Sequence, residues 1–173
     1  MARKFPALLR SFNFEISLFS SLPIIEGSDI RPSGPDRSGV KLGDGAFQEC
    51  SGLEVEMDVQ EYLEGGRNDG VIRRVGRAKF QNIVLKRGML MTSGSSVNRE
   101  LWNWFNAIVS GVRPVRRYDR IIEVWDVGPT PVASWIFHRG LPAKIVGPQL
   151  NAKTGEVAIE ELHIAHEGLR LKP

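Results

Sequence analysis

The chain has 173 residues, of which 42% are hydrophobic and 25% charged, and this ordinary globular composition excludes wholesale disorder. Its formal net charge is only +3, which does not by itself indicate a nucleic-acid-binding protein. The single cysteine, Cys50, excludes an internal disulfide framework and a four-cysteine zinc site. Eighteen glycines and ten prolines favour turns, and therefore strands, over a bundle of helices.

At this length we expect one domain over residues 1–173, interrupted by one long loop. Residues 12–20 alternate apolar and polar side chains, which predicts a strand. Residues 20–45 then lose all periodicity, and half of them are Gly, Pro or Ser. Compact domains tolerate irregular loops of about 12–15 residues, so this insertion is either an arm that docks on a partner or a flexible segment. Ile24 and Ile25 favour the docking arm, because a disordered linker would lack them.

The clearest strand pattern covers residues 53–62. The apolar set is Leu53, Val55, Met57 and Val59, and the polar set is Glu54, Glu56, Asp58 and Gln60. A period of two places these sets on opposite faces, so we expect one buried face and one wet face in an antiparallel sheet. Residues 64–70 then form a turn rich in Gly, Asn and Asp, which is typical of a hairpin end or a protruding contact loop.

The remaining elements are one helix and further strands. A helix is predicted at residues 97–110, capped by Ser96 and stopped by Gly111. The residues expected to pack it on a sheet are Leu101, Trp102, Phe105 and Ile108. Further strands are predicted at residues 78–86, 121–127, 132–138 and 157–167. These elements predict a mainly β fold, an antiparallel barrel or sandwich with one packed helix.

The sequence contains no recognisable catalytic motif, and no cofactor or metal is expected. His163 and His166 point to opposite faces at strand spacing, so they cannot chelate one metal ion. The acidic row of the wet strand face lacks an environment that would raise one pKa, as a general acid requires. We therefore expect no enzyme.

A basic cluster is the best argument for nucleic-acid binding. It comprises Arg113, Arg116, Arg117 and Arg120, together with Arg73, Arg74, Arg77 and Lys79. Aromatic residues do not interleave with these arginines as a base-stacking platform would need. A solvated face or a partner for carboxylates of another subunit is favoured, and a nucleic-acid-binding β-barrel is kept as an alternative function.

No run of about 18 apolar residues is present, so no membrane-spanning helix is expected. The first apolar stretch stops at Arg10, which is too short for the core of a secretory signal. We expect synthesis in the cytoplasm.

The order of several motifs resembles the tail tube proteins of contractile phage tails and contractile injection systems. The matching segments are Ser51-Gly52-Leu53, Tyr62–Gly66, Leu85-Lys86-Arg87-Gly88, Leu101-Trp102-x-Trp104, Trp135-Ile136-Phe137, Leu141-Pro142-Ala143-Lys144, and Ala158 through Leu169. The resemblance covers residues 12–169. It departs from the family pattern at residues 20–45, where the first connection is longer than in the main tube subunits.

The resemblance implies a structural subunit that forms hexameric rings, whose strands join a ring-shaped barrel across subunits. The rings stack into a hollow tube inside a sheath, above a spike and baseplate, with possible cargo in the lumen. The acidic face, Glu54, Glu56, Asp58 and Gln60, is then expected to line the lumen. Contacts between subunits or rings are expected at Ile24, Ile25, Gly65, Arg67, Asn68, Asp69, Arg116 and Arg117. The long loop leaves open the alternative of an adaptor ring that seats the tube on the baseplate.

Overall fold

A computed structural model describes residues 13–21, 47–66, 68–89, 91, 97–153 and 155–172. Almost all of the predicted arm, with Ile24 and Ile25, lies outside these residues, and so do Ser96 and Arg67. The described strands are β1 (Phe14–Ser20), β2 (Phe47–Ser51), β3 (Val55–Tyr62), β4 (Ile72–Phe80), β5 (Ile83–Gly88), β6 (Tyr118–Trp125), β7 (Pro131–Val146), β8 (Ile159–Ala165) and β9 (Gly168–Lys172). Helix α1 spans Glu100–Val109. The predicted mainly β, antiparallel class with one helix is confirmed.

Strand β7 is shared by two layers of the main sheet. Its first part pairs with β6 and β9, and β6 pairs in turn with β1. Its last part pairs with β8, which continues through β5 to β2. The strand changes layer at Arg139, which has a positive φ of 55°. The described strands thus form an open sandwich with edges at β1, β2 and β9, and they do not close into a barrel.

The space between the layers holds the core. Inward side chains come from β1 (Ile16, Leu18), β6 (Tyr118, Ile122), β7 (Phe137), β2 (Phe47), β5 (Ile83, Leu85) and β8 (Leu162, Ile164), all of them buried. These residues recur at every second position along most strands, because alternate side chains of a strand face the same layer. Burial of side chains of this size stabilises a fold by roughly 1.5–3 kcal/mol each.

One of the predicted strands needs correction. A single strand over residues 78–86 is wrong, because β4 ends at Phe80 and β5 begins at Ile83. The intervening Gln81 and Asn82 belong to neither strand. The backbone at Asn82 packs against Gly52, where an added Cβ would lie 2.1 Å from the Asn82 carbonyl oxygen. Gly52 also has φ +82°, so both space and backbone geometry require glycine in the turn between β2 and β3.

Helix α1 packs partly as predicted, because Leu101 is in the core and Ile108 packs against it, but Trp104 was not among the predicted packing residues. Leu101 and Trp104 are its fully buried residues, whereas Trp102, Phe105 and Ile108 are half-buried. Trp104 becomes central because its indole donates to the Arg116 carbonyl at 3.0 Å, and its ring meets Tyr118 edge-on at 4.8 Å between centroids. The polar end of the indole is therefore satisfied while its rings join the core.

Both ends of α1 are satisfied by local hydrogen bonds. Asn98 Oδ1 accepts from the Glu100 backbone N–H at 3.0 Å, so a side chain two residues ahead satisfies one of the free donors of the first turn. At the other end the Gly111 N–H donates to the Ile108 carbonyl and the Val112 N–H donates to the Ala107 carbonyl. These are the two hydrogen bonds of a Schellman motif. The predicted stop at Gly111 is confirmed.

A buried ion pair joins the helix to the sheet. Arg87 of β5 and Glu160 of β8 lie opposite each other in the ladder, and each side chain is only 1% exposed. Arg87 Nε donates to Glu160 Oε1 at 2.6 Å, and the Trp102 indole donates to Glu160 Oε2 at 2.8 Å. One carboxylate thus ties β5, β8 and α1 together. Low polarity strengthens each of these hydrogen bonds.

A second buried arginine has no such partner. Arg120 takes an inward position on β6 between Tyr118 and Ile122 and is fully buried. None of its guanidinium nitrogens has a hydrogen-bond acceptor among the residues that the structure describes, and its charge lies 5.2 Å from the centroid of the Phe47 ring. Burial lowers the pKa of Arg120. Cys50 has a smaller, raising effect on this pKa, and the positive charge of the nearby Arg87 lowers it further. A guanidinium nevertheless stays charged at neutral pH, so the sandwich contains one uncompensated positive charge.

Replacing Glu160 should destabilise the fold strongly. Glu160→Ala leaves Arg87 charged and buried without its acceptor, which typically costs about 3–5 kcal/mol in free energy of unfolding. Urea unfolding followed by tryptophan fluorescence measures this loss. The control is Glu49→Ala, which removes the exposed pair with Lys86 and should cost less than about 1 kcal/mol. Equal losses in the two variants would contradict a special role for the buried pair.

Replacing Arg120 should have the opposite sign. Arg120→Met keeps an extended apolar side chain and removes the unpaired charge, and such exchanges are often neutral or stabilising by about 1–4 kcal/mol. The same urea measurement applies. A loss of more than about 2 kcal/mol would show that the Arg120 charge is compensated in the folded chain.

Candidate assembly surfaces

Strands β3 and β4 form a separate two-stranded ribbon outside the sandwich. Direct partners in their ladder share a face of the ribbon. Val55, Met57 and Val59 lie opposite Phe80, Ala78 and Val75, and Glu56 and Gln60 lie opposite Lys79 and Arg74. The predicted division of the 53–62 segment into an apolar and a polar face is therefore reproduced by the register.

The prediction that the apolar face is buried is wrong for the single chain. Val55, Met57, Val59 and Val75 are 51%, 48%, 59% and 80% exposed, and Leu53, which precedes β3, is half-buried. The alternation identified the two faces but could not say what covers one of them. A two-stranded hairpin is only marginally stable in water, so an uncovered apolar face on such a ribbon indicates a surface for another protein.

The polar face of the ribbon carries both signs of charge. Lys79 Nζ lies 2.6 Å from Asp58 Oδ1, and this contact raises the pKa of Lys79. The Arg74 guanidinium lies 4.8 Å from the centroid of the Tyr62 ring, a cation–π contact. The predicted row of carboxylates is therefore balanced by cations from β4. The sequence pattern of one strand cannot reveal these partners, because they come from the other strand.

A bulge bends the ribbon near its middle. Between the pairs Met57–Ala78 and Val59–Val75, β4 has one residue more than β3. Gly76 occupies this bulge, where an added Cβ would lie 2.6 Å from the Asp58 carbonyl oxygen. A bulge increases local twist and re-aims the strand beyond it, so Gly76 helps set the direction in which the ribbon tip points.

The tip of the ribbon projects apolar and acidic side chains into solvent. Tyr62 and Leu63 are 50% and 77% exposed, and Glu64 follows them. The predicted contact residues Gly65, Asn68 and Asp69 are also exposed here. Glu54, the first residue of the predicted polar set, lies at the other end just before β3, where its carbonyl accepts from the Gln81 N–H at 3.5 Å.

His166 joins the base of the ribbon to the sandwich. Its ring lies between Phe80 of β4 and Phe137 of β7, with centroid distances of 5.5 and 5.3 Å. Its Nε2 donates to the Gln81 carbonyl at 3.0 Å. Burial lowers the pKa of His166 despite hydrogen bonds to the backbone at Gln81 and Gly168. The neutral imidazole is thus the form that fits this joint.

The predicted basic cluster is not one surface. Arg120 is buried in the core, so its assignment to a solvated cluster is wrong. Arg117 contacts Glu167 at 2.9 Å, and Arg73 contacts Glu61 at 3.4 Å. Arg113 and Arg116 are exposed after helix α1, and the other four members lie on β4. The predicted cluster is therefore divided among the core, strand β4 and the segment after helix α1.

The described residues also lack the features of a catalytic or metal site. They contain no cluster of three or more His, Cys, Asp or Glu side chains suited to a metal ion. Burial raises the pKa of the Cys50 thiol to about 11, with a smaller opposing effect from Arg120, so a reactive thiolate is disfavoured. Among the same residues, no helix is long and apolar enough to cross a membrane.

The family model of the T4-like virus tail tube protein gp19 matches residues 10–170. The chain therefore belongs to this tail tube family, as its motifs indicated. This family consists of structural tail tube proteins and not of enzymes. No curated protein sequence matches it significantly.

Solved structures share this fold at low sequence identity. A chain of the anti-feeding prophage baseplate, in a six-fold symmetrised cryo-EM structure, gives a TM-score of 0.71 at 20% identity over 98% of this chain and 97% of that chain. A chain of the sheath–tube complex of an extracellular contractile injection system (PVC, extended state) gives 0.69 at 19% identity over 98% and 93%. A chain of the anti-feeding prophage tube-terminating cap gives 0.70 at 20% identity over 99% and 94%.

Acidification should weaken the joint at His166. Because burial lowers the pKa of His166 in the folded chain, the unfolded chain binds the extra proton first. The contribution of neutral His166 to the free energy of unfolding is complete above the ordinary histidine pKa of about 6.5. This contribution is lost as the pH falls below that value. Urea unfolding at pH 8 and pH 5.5 should show a smaller loss in His166→Gln than in the unsubstituted chain. An equal loss in both would contradict this origin.

Proposed function

We propose that this chain is a ring-forming subunit of the inner tube of a contractile tail or injection system. The observation that carries the proposal is the uncovered apolar face of the β3–β4 ribbon in a member of the tail tube family. In a ring, a neighbouring copy would cover this face, and the contact would repeat until the ring closes. Such head-to-tail contacts give a closed ring when the rotation fits.

The chemistry of the ribbon supports its use between subunits. Val55, Met57, Val59 and Val75 form a contiguous set about half or more exposed, and full burial of each would contribute roughly 1.5–3 kcal/mol before the cost of association. The edges at β1, β2 and β9 offer further unpaired backbone groups. Six copies per ring are supported by the family and by the six-fold symmetry of the related baseplate structure.

The opposite face of the ribbon is our candidate for the lumen. With the apolar face covered by a neighbour, Glu56, Asp58 and Gln60 would face the hollow together with Lys79 and Arg74. Glu54 would lie at the border of this surface, since it precedes the strand. A cargo would therefore meet a hydrated wall of paired charges. A single tube-type domain with a loop insertion at residues 20–45 fits this assignment.

The partners follow from the same assignment. Stacked copies of the ring, a surrounding sheath, and spike or baseplate proteins are proposed, with possible cargo in the lumen, after synthesis in the cytoplasm. Two of the related structures are described as a sheath–tube complex and a baseplate, which supports these choices. The second candidate is an adaptor or terminal ring, because baseplate and cap chains share the fold as closely as the sheath–tube chain does.

A charge on the apolar face should block assembly without unfolding the subunit. Val59 is 59% exposed in the single chain, so Val59→Asp adds an exposed charge to the monomer, but it buries an unpaired carboxylate in the proposed interface. Size-exclusion chromatography and electron microscopy should show rings for the unsubstituted chain and monomers for Val59→Asp.

The matched control is Gln60→Asp on the adjacent, polar face. It adds the same charge one residue away and should leave ring formation intact. Urea midpoints within about 0.5 kcal/mol of the unsubstituted chain would show that both variants fold. Rings formed normally by Val59→Asp would overturn the proposed interface.

A further inference from the structure

A groove lies between helix α1 and the start of β6. It has a volume of about 360 Å³. Its apolar lining comprises Trp104, Ala107, Ile108, Val112, Pro114 and Tyr118, and the polar residues Glu100, Asn103 and Arg116 complete it. Val112 is 54% exposed, so the groove is open in the single chain. The packing of Trp104 on Tyr118 described above fixes its floor, and a pre-formed apolar groove of this size suits a projecting side chain.

The rim of the groove carries an unpaired positive charge. Arg116 lines it and is exposed, and the described residues provide no ion-pair partner for its side chain. The neighbouring Arg117 differs, because Glu167 already holds it at 2.9 Å. Arg113 adds a second exposed cation close by, whose recorded bond is to the carbonyl of Val112 at 3.4 Å. Two exposed arginines against the single carboxylate of Glu100 leave the surroundings of the groove net positive, so the groove suits an apolar side chain followed by a carboxylate.

The ribbon tip has this order of groups. Tyr62 and Leu63 present apolar surface, and the exposed carboxylate of Glu64 follows directly. The tip stands at the end of an eight-residue strand, which reaches about 26 Å at 3.3 Å per residue. Leu63 is 77% exposed, so the tip does not occupy the groove of its own chain.

We propose that the groove receives the ribbon tip of a second copy of this chain, with Leu63 among the apolar side chains and Glu64 beside Arg116. This inference rests on the proposed assembly into rings and stacks. It adds a defined pairing between two surfaces of the same chain, separate from the apolar face of the ribbon. The pairing is head-to-tail, because the tip and the groove are different surfaces.

The turn between β6 and β7 is the competing occupant. Val127 is fully exposed there and follows the acidic Asp126. It offers one small apolar side chain on a short turn, whereas the ribbon tip offers Tyr62 and Leu63 in succession on a long arm. The ribbon tip fills an apolar groove better, and the turn provides an internal comparison for the experiment.

Cross-linking tests the pairing directly. In a Cys50→Ser background, Leu63→Cys combined with Ala107→Cys should give covalent multimers on mild oxidation, read as a ladder on a non-reducing gel. A disulfide forms only when the Cα atoms come within about 7 Å. Each single variant alone should give at most dimers. The comparison is Val127→Cys with Ala107→Cys, which should give no ladder.

Charge exchange provides a second test. Arg116→Glu and Glu64→Arg should each raise the protein concentration needed for assembly by at least about tenfold, and the double variant should recover most of that loss. The control is Lys153→Glu between β7 and β8, an exposed charge outside the groove, which should have little effect. Circular dichroism and urea midpoints confirm that each variant folds.

The outcomes separate this pairing from the proposed function. Assembled rings or tubes without the Leu63–Ala107 cross-link, or with the Val127–Ala107 cross-link instead, overturn the pairing and leave the tube assignment intact. Failure of the double charge variant to recover assembly also overturns it. A chain that stays monomeric at every concentration overturns both.

Discussion

The buried ion pair between Arg87 and Glu160 is the contact on which the rest of the fold depends. It joins β5 to β8 inside the sandwich, and the second oxygen of the same carboxylate holds helix α1 through Trp102. Apolar packing alone would allow the helix to slide, whereas a buried carboxylate with two fixed donors accepts one arrangement. The position of α1 in turn sets Trp104 against Tyr118, and thereby the shape of the groove beside them.

The sandwich buries its own apolar side chains, whereas the β3–β4 ribbon leaves an apolar face exposed. The sandwich has its own core, and among the described residues the ribbon meets the sandwich at its base, through Phe80 and His166. Gly52 and Asn82 allow the chain to leave and re-enter the sandwich within one close contact. The parts proposed to mediate assembly are thus set apart from the core that stabilises the fold, so changes in one need not disturb the other.

Alternation in the sequence predicted β1, because its inward positions recur with a period of two and hold Ile16 and Leu18. The sequence also indicated β6, β7 and β8, whereas it merged β5 with β4 and did not predict β2 or β9. The motif order also predicted the family. The pattern failed where the burial of a residue depends on another element. Three charged residues occupy inward, buried positions, although charged side chains are usually expected at the surface: Arg87, Arg120 and Glu160. The spacing indicated that Arg87 is buried, since it continues the inward face of Ile83 and Leu85. Its charge, taken alone, suggested an exposed side chain. The exposure of the apolar face of β3 could not be predicted, because a period of two separates two faces of a strand without showing which of them is covered.

The exposed valines of the ribbon also bear on how the subunit behaves between synthesis and assembly. A free copy exposes an apolar surface on its ribbon, and such surfaces on strands promote irregular aggregation as readily as ordered assembly. Clumping involves encounters between free copies and rises steeply with their concentration, whereas addition to an existing end rises only in proportion. A small standing pool of free subunits, drawn down continuously by growing ends, therefore favours the ordered product. The rate of supply becomes a determinant of fidelity, quite apart from the strength of any contact.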